Sequence, residues 1–139
     1  MAEMVELTNG KATVRFSDIG DPFSDGYDFR DFTVELEDAG LSARTAVRTI
    51  LGQSCLTAFL AEVAESWRGW DGTKTWRSLE GDLHLRVEHD GVGAVTFEFE
   101  VRDSPYDDRW TASVCISLHA GQELIDFCAA VDGFLNSVS

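Results

Sequence analysis

Apolar and polar side chains alternate one by one along much of this chain, most clearly in "AVTFEFEVR" (94–102) and "RWTASVCISL" (109–118). Successive side chains on a β-strand point to opposite faces, so this rhythm describes strands with one dry face and one wet face. It predicts Val95, Phe97, Phe99 and Val101 inward on one strand. Trp110, Ala112, Val114, Ile116 and Leu118 point inward on the next. "LHLRVEH" (83–89) does the same through Leu83, Leu85 and Val87. "KTWRSL" reads as a short strand.

The N-terminal part follows the same rhythm in two hairpins. In "MVELTNGKATVRF" (4–16), Asn9-Gly10 is the preferred pair for a type I′ turn. Pairing Thr8 with Lys11 then sets Leu7 against Ala12 and Val5 against Val14, all four on one face. The second hairpin turns at Ala39-Gly40. Leu36 then faces Ala43 and Phe32 faces Val47, while Glu35 meets Arg44 and Asp31 meets Arg48 on the other side. Apolar pairs on one face and opposite charges on the other make that register self-consistent.

Two segments break the alternation. Leu56, Phe59, Leu60, Val63 and Trp67 recur at helical spacing, with Gly69 placed to end the helix. Leu124, Phe127, Cys128, Val131 and Leu135 form a second stripe. The two stripes align with each other, as an internal duplication or any pair of amphipathic helices would. The expected fold is α+β: one domain over 1–139, a twisted antiparallel sheet of about seven or eight strands, and helices at about 54–67 and 122–136 on one face.

Charge narrows the partners. Twenty-five acids against eleven bases leave a formal charge of −14. Phosphate contacts need Lys and Arg, so nucleic acid is not an expected ligand, and anionic membranes are repelled. The same field speeds encounter with a basic protein, or serves solubility alone. Cys55, Cys115 and Cys128 are odd in number and lack C-x-x-C spacing, which argues against a disulfide framework or a zinc knuckle. The opening "MAEMVELTNG" lacks the pattern of a signal peptide, and no apolar run reaches membrane-spanning length. A reducing cytoplasm is the expected compartment.

"WRGWDGTKTW" (67–76) holds three of the four tryptophans. Trp67 lies on the helical stripe and Trp76 and Trp110 share their strands' inward phase, so these three are expected in the core. Trp70, between Gly69 and Gly72, either plugs the end of the core or stands free for a ligand. An aromatic cage needs several rings exposed together, which this phasing does not supply. The block W-R-G-W-D-G…W-R-S-L-E-G-D-L-H-L and the late "AGQELIDF" resemble a family of small uncharacterised actinobacterial proteins, a domain of unknown function. The resemblance covers about 50–135 and carries no activity with it. In size and strand–helix order the chain is also distantly similar to immunity proteins encoded beside bacterial toxins, a likeness at the level of fold.

Catalytic patterns are missing. His84, His89 and His119 show no metal-ligand spacing on a helix, and no P-loop, G-x-G-x-x-G or G-x-S-x-G occurs. No cofactor or metal is expected. Asp18, Asp21, Asp25 and Asp28 share the loop 17–28 without the spacing of a calcium loop. Cys115, out of phase with the core, is the thiol to test as a nucleophile, against a plain wet-face position. The leading expectation is a non-enzymatic acidic module that binds a basic protein. Its contact surface would be the open sheet face, with His84, Arg86, Glu98, Glu100, Thr111 and Ser113, or the Asp18–Asp28 loop. The alternative is a small-molecule binding protein or enzyme with a pocket near Trp70, Trp76 and Glu80. A self-associating module is a third reading.

Overall fold

A computed structural model describes residues 4–19, 29–50, 56–78, 81–102 and 110–135. The chain runs β1 (Met4–Asn9), β2 (Ala12–Ser17), β3 (Phe29–Asp38), β4 (Leu41–Ile50), α1 (Leu56–Glu65), β5 (Thr73–Arg77), β6 (Leu83–His89), β7 (Ala94–Arg102), β8 (Thr111–His119) and α2 (Gln122–Leu135). The α+β class is as expected. The strands, however, form two antiparallel sheets of four, β1-β2-β3-β4 and β5-β6-β7-β8, not one sheet of seven or eight. Each sheet is a meander followed by a helix, so the topology repeats. The reason for two sheets is burial. Each meander has one predominantly apolar face, and the two bury those faces against each other, as the Phe16–Phe99 contact shows.

Phe16 and Phe32 of the first sheet stack edge-on at 5.5 Å, and Phe16 meets Phe99 of the second sheet at 6.4 Å. The second helix joins both. Phe134 packs edge-on against Phe32, while Phe127 packs against Phe97 and Phe99. The inward residues expected on β6, β7 and β8 from Leu83 to Leu118 are all buried. A phenylalanine taken fully out of water contributes about 1.5–3 kcal/mol, so this aromatic seam is a principal adhesive between the sheets.

The second hairpin has the expected register, with Phe32 opposite Val47 and Leu36 opposite Ala43. The first differs. Its turn residues are Gly10-Lys11, and Leu7 faces Val14 while Val5 faces Phe16. Gly10 alone has positive φ, at 64°, which is the demand of a type II′ turn at its first central position. The shift moves the partner strand by two residues, so Val5, Leu7, Ala12 and Val14 keep a common face.

Helix α1 ends earlier than its stripe suggests, and this overturns the inward placement of Trp67. The Ser66 amide bonds to both Glu62 and Val63 carbonyls, tightening the last turn toward 3₁₀ spacing. Trp67 therefore leaves the apolar face and is 40% exposed, with the Arg68 guanidinium 5.2 Å from its ring centre. Trp76 and Trp110 pack against the core as expected, half-buried. Residues 54, 55 and 136, Cys55 and most of the 17–28 loop lie outside the described residues.

Candidate functional site

The open face of the β5–β8 sheet gathers every residue expected on it. Register alone does this: His84 sits opposite Glu100, which sits opposite Ser113, and the next row is Arg86, Glu98 and Cys115. Thr111 lies opposite Arg102 at the sheet's end. The expected contact residues did not include Glu88, which shares the strand phase of His84 and Arg86, nor Thr96 and Arg102, which the phase of β7 assigns to the same face.

The face is charged but internally paired. Arg86 Nη1 donates to Glu98 Oε1 at 2.7 Å and lies 3.8 Å from Glu100. Arg102 approaches the other Glu100 oxygen at 3.8 Å. Thr73 donates to Glu88 at 2.8 Å, and Thr96 and Ser117 share a 2.8 Å hydroxyl contact. Three arginines (Arg77, Arg86, Arg102) balance three glutamates (Glu88, Glu98, Glu100) here. Exposed pairs of this kind contribute only about 0.2–1 kcal/mol each to stability. Their value is a fixed pattern of donors and acceptors. The −14 excess resides elsewhere. Helix α2, for example, carries Glu123, Asp126 and Asp132 with no basic residue.

His84 is held neutral. Burial first, then the nearby Arg86 guanidinium, pushes its pKa below the ordinary value. Its Nδ1 lies 3.3 Å from Arg86 Nη2, and a guanidinium only donates, so Nδ1 keeps its lone pair. Cys115 is exposed on the same face, but burial of the sulfur and then Glu98 raise its pKa. A thiol pushed that way is a poor nucleophile. A shallow depression of about 190 Å³ lies among Thr73, Arg86, Glu88, Thr96, Glu98 and Cys115. Among the described residues no group of three His, Cys, Asp or Glu side chains is arranged to hold a metal.

The tryptophan stretch is built as a junction. His89 Nδ1 accepts from the Gly91 amide at 2.8 Å, which leaves Nε2 to donate to the Trp67 carbonyl at 2.9 Å. Trp70 lies edge-on to the same imidazole at 5.3 Å, with Lys74 Nζ 5.2 Å from its ring centre. Trp70 thus packs at the end of the core, half-buried, and its buried Nε1 has no hydrogen-bond partner among the described residues. Neither Trp70 nor Trp76 lines the depression on the sheet face, a second of about 200 Å³ beside Asp31 and Asp82, or a cleft of about 620 Å³ between β1 and β8. Glu80 lies outside the described residues. So do Asp21, Asp25 and Asp28; Asp18, at φ 56°, adopts the left-handed conformation that aspartate tolerates.

The block W-R-S-L-E-G-D-L has a structural explanation. Ser78 Oγ donates to Asp82 Oδ1 at 2.5 Å and accepts from the Leu83 amide at 3.1 Å. Both side chains are buried, at 3% and 5% exposure, and Gly81 supplies positive φ in the same turn. The motif therefore locks the β5–β6 connection. Residues 5–138 match the family of unknown function DUF6228. The chain belongs to that family. The DUF6228 match takes in both meanders and both helices, more than the 50–135 expected from the tryptophan block. Comparison with curated proteins finds no match. No described helix is long and apolar enough to cross a membrane.

Proposed function

We propose that this DUF6228 chain is a non-enzymatic module that binds a basic protein through the open face of the β5–β8 sheet. The observation that supports it best is the gathering of His84, Arg86, Glu98, Glu100, Thr111 and Ser113 on one sheet face, a ladder of donors and acceptors. A polar, internally paired surface with only a shallow depression suits a protein better than a small molecule, which needs a concave and mostly apolar pocket. The acid excess lies off this face, so it steers a basic partner from a distance while the ladder sets the fit. An inhibitor that captures a basic bacterial protein, as immunity proteins do, is the specific form of this role. A reducing cytoplasm suits it, since Cys115 and Cys128 are free thiols.

The test is affinity capture from the organism that encodes the chain, at two salt concentrations, with wild type and with Glu98→Lys/Glu100→Lys. A stoichiometric basic partner should be recovered, weakened by salt and lost in the double variant. Recovery of no basic partner, or of one indifferent to both changes, ends this reading.

A further inference from the structure

Strand β8 is an edge strand whose free side is presented in a specific way. The Arg102 amide bonds to the Asp82 carbonyl, on the β6 side of β7. Antiparallel residues turn both main-chain groups to the same side, alternating along the strand. The odd-numbered residues of β7 therefore bond to Ala112, Val114, Ile116 and Leu118 of β8. Thr111, Ser113, Cys115 and Ser117 must turn their N–H and C=O outward. Two bonds agree: the Ser117 carbonyl accepts from Asn9 Nδ2 at 2.9 Å, and the His119 amide donates to Glu123 Oε1 at 3.1 Å. Among the described residues nothing caps the outward groups of Thr111, Ser113 and Cys115.

This edge also lacks the usual guards. The other edge strands carry charges that discourage pairing: Glu6 on β1, Arg44 and Arg48 on β4, Lys74 and Arg77 on β5. From Thr111 to Leu118, β8 has no charged residue and no proline. Beyond its capped end lies the cleft of about 620 Å³ against β1, lined by Glu6 and Glu123 and, among the described residues, by no Lys or Arg. Arg15 engages only Oε2 of Glu6, and the His119 amide only Oε1 of Glu123. One oxygen of each carboxylate is left without a partner among the described residues.

We infer that β8 receives an extended basic segment of the partner protein as an added strand, with a Lys or Arg of that segment seated between Glu6 and Glu123. Main-chain bonds to Thr111, Ser113 and Cys115 supply affinity, and the two carboxylates supply the preference for positive charge. The small wet-face side chains of these three residues leave room for the segment's own side chains. The inference rests on the protein-binding role proposed above and gives it a mode.

Cys115→Pro is the discriminating variant. It removes an outward donor and no bond to β7, and an edge strand tolerates proline in that orientation. The probes are two capped heptapeptides, one alternating Lys with Val and one alternating Glu with Val. The Lys peptide should slow amide exchange of Ser113 and Cys115 at least tenfold at saturation, and the Glu peptide should not. Cys115→Pro should weaken the Lys peptide at least tenfold with the wild-type circular dichroism retained. Should that variant misfold, Cys115→Lys provides the same block by charge. Glu6→Gln/Glu123→Gln should weaken binding several-fold and flatten its salt dependence. Equal binding of both peptides, or unchanged affinity in either Cys115 variant, overturns the inference. So does a dimer of the free chain that Cys115→Pro dissolves, since a second copy would then own the edge. A captured basic partner that still binds Cys115→Pro removes the β8 route and leaves the binding role standing. Absence of any basic partner removes the role itself.

Discussion

Phe16 of β2 and Phe99 of β7 meet edge-on with ring centres 6.4 Å apart, and this contact ties one sheet to the other. Both rings are fully buried. In a double-mutant cycle, Phe16→Leu and Phe99→Leu should each destabilise the fold, and the pair should show a coupling of about 0.5–1.5 kcal/mol. Chemical denaturation of the four proteins measures it. A coupling near zero would mean that the rings are buried separately and that the sheets are joined elsewhere.

Gly69 stands at φ 135°, where a Cβ would also lie 3.6 Å from His89 Cε1. The spacing is ordinary; the backbone is not. Gly69→Ala should therefore destabilise by about 1–2 kcal/mol through strain alone. The loss should show in the melting temperature, with Gly72→Ala as a companion in open space at φ 79°. If Gly69→Ala melts like wild type, the backbone there is freer than its φ implies.

His84 has a depressed pKa, because burial and Arg86 oppose its charge. Near pH 6.5, the ordinary value, the unfolded chain takes up the proton more readily than the folded one. This histidine therefore lowers stability as pH falls from neutral through about 6.5 and down to its folded pKa, below which its effect levels off. His84→Gln should lose less stability than wild type between pH 7.5 and 5.5. Urea midpoints at several pH values test this, and parallel curves for the two proteins would contradict it.

The two described thiols should differ in kind. Burial pushes Cys128 up to about 12, whereas Cys115 is raised but exposed. With a thiolate-selective alkylating agent near neutral pH, Cys115 should react more slowly than a free cysteine, and Cys128 only on unfolding. Mass spectrometry after timed quenching resolves the sites. Cys115 labelling faster than a free thiol would reopen a nucleophilic role for it.

The candidate face was legible in the sequence because phase along a strand dictates side. Arg86, Glu98 and Thr111 need only parity and an antiparallel neighbour to share it. Trp67 was not legible, because its orientation depends on where α1 ends. That end is set by a tightened turn at Ser66 and by the Trp67 carbonyl bonding to His89, twenty-two residues away. The role of Ser78 and Asp82 was hidden for a similar reason: a turn lock looks, as a string, like a recognition motif.

Local periodicity thus determined the strands and helices, the side each strand residue faces and the β3–β4 register, because these follow from backbone geometry over a few residues. Tertiary structure alone decided that eight strands divide into two sheets, that β1 approaches β8, and that Glu6 and Glu123 share a cleft. Those relations join residues about a hundred positions apart, and they are chosen by which apolar faces bury most together, a quantity that no short stretch of chain contains.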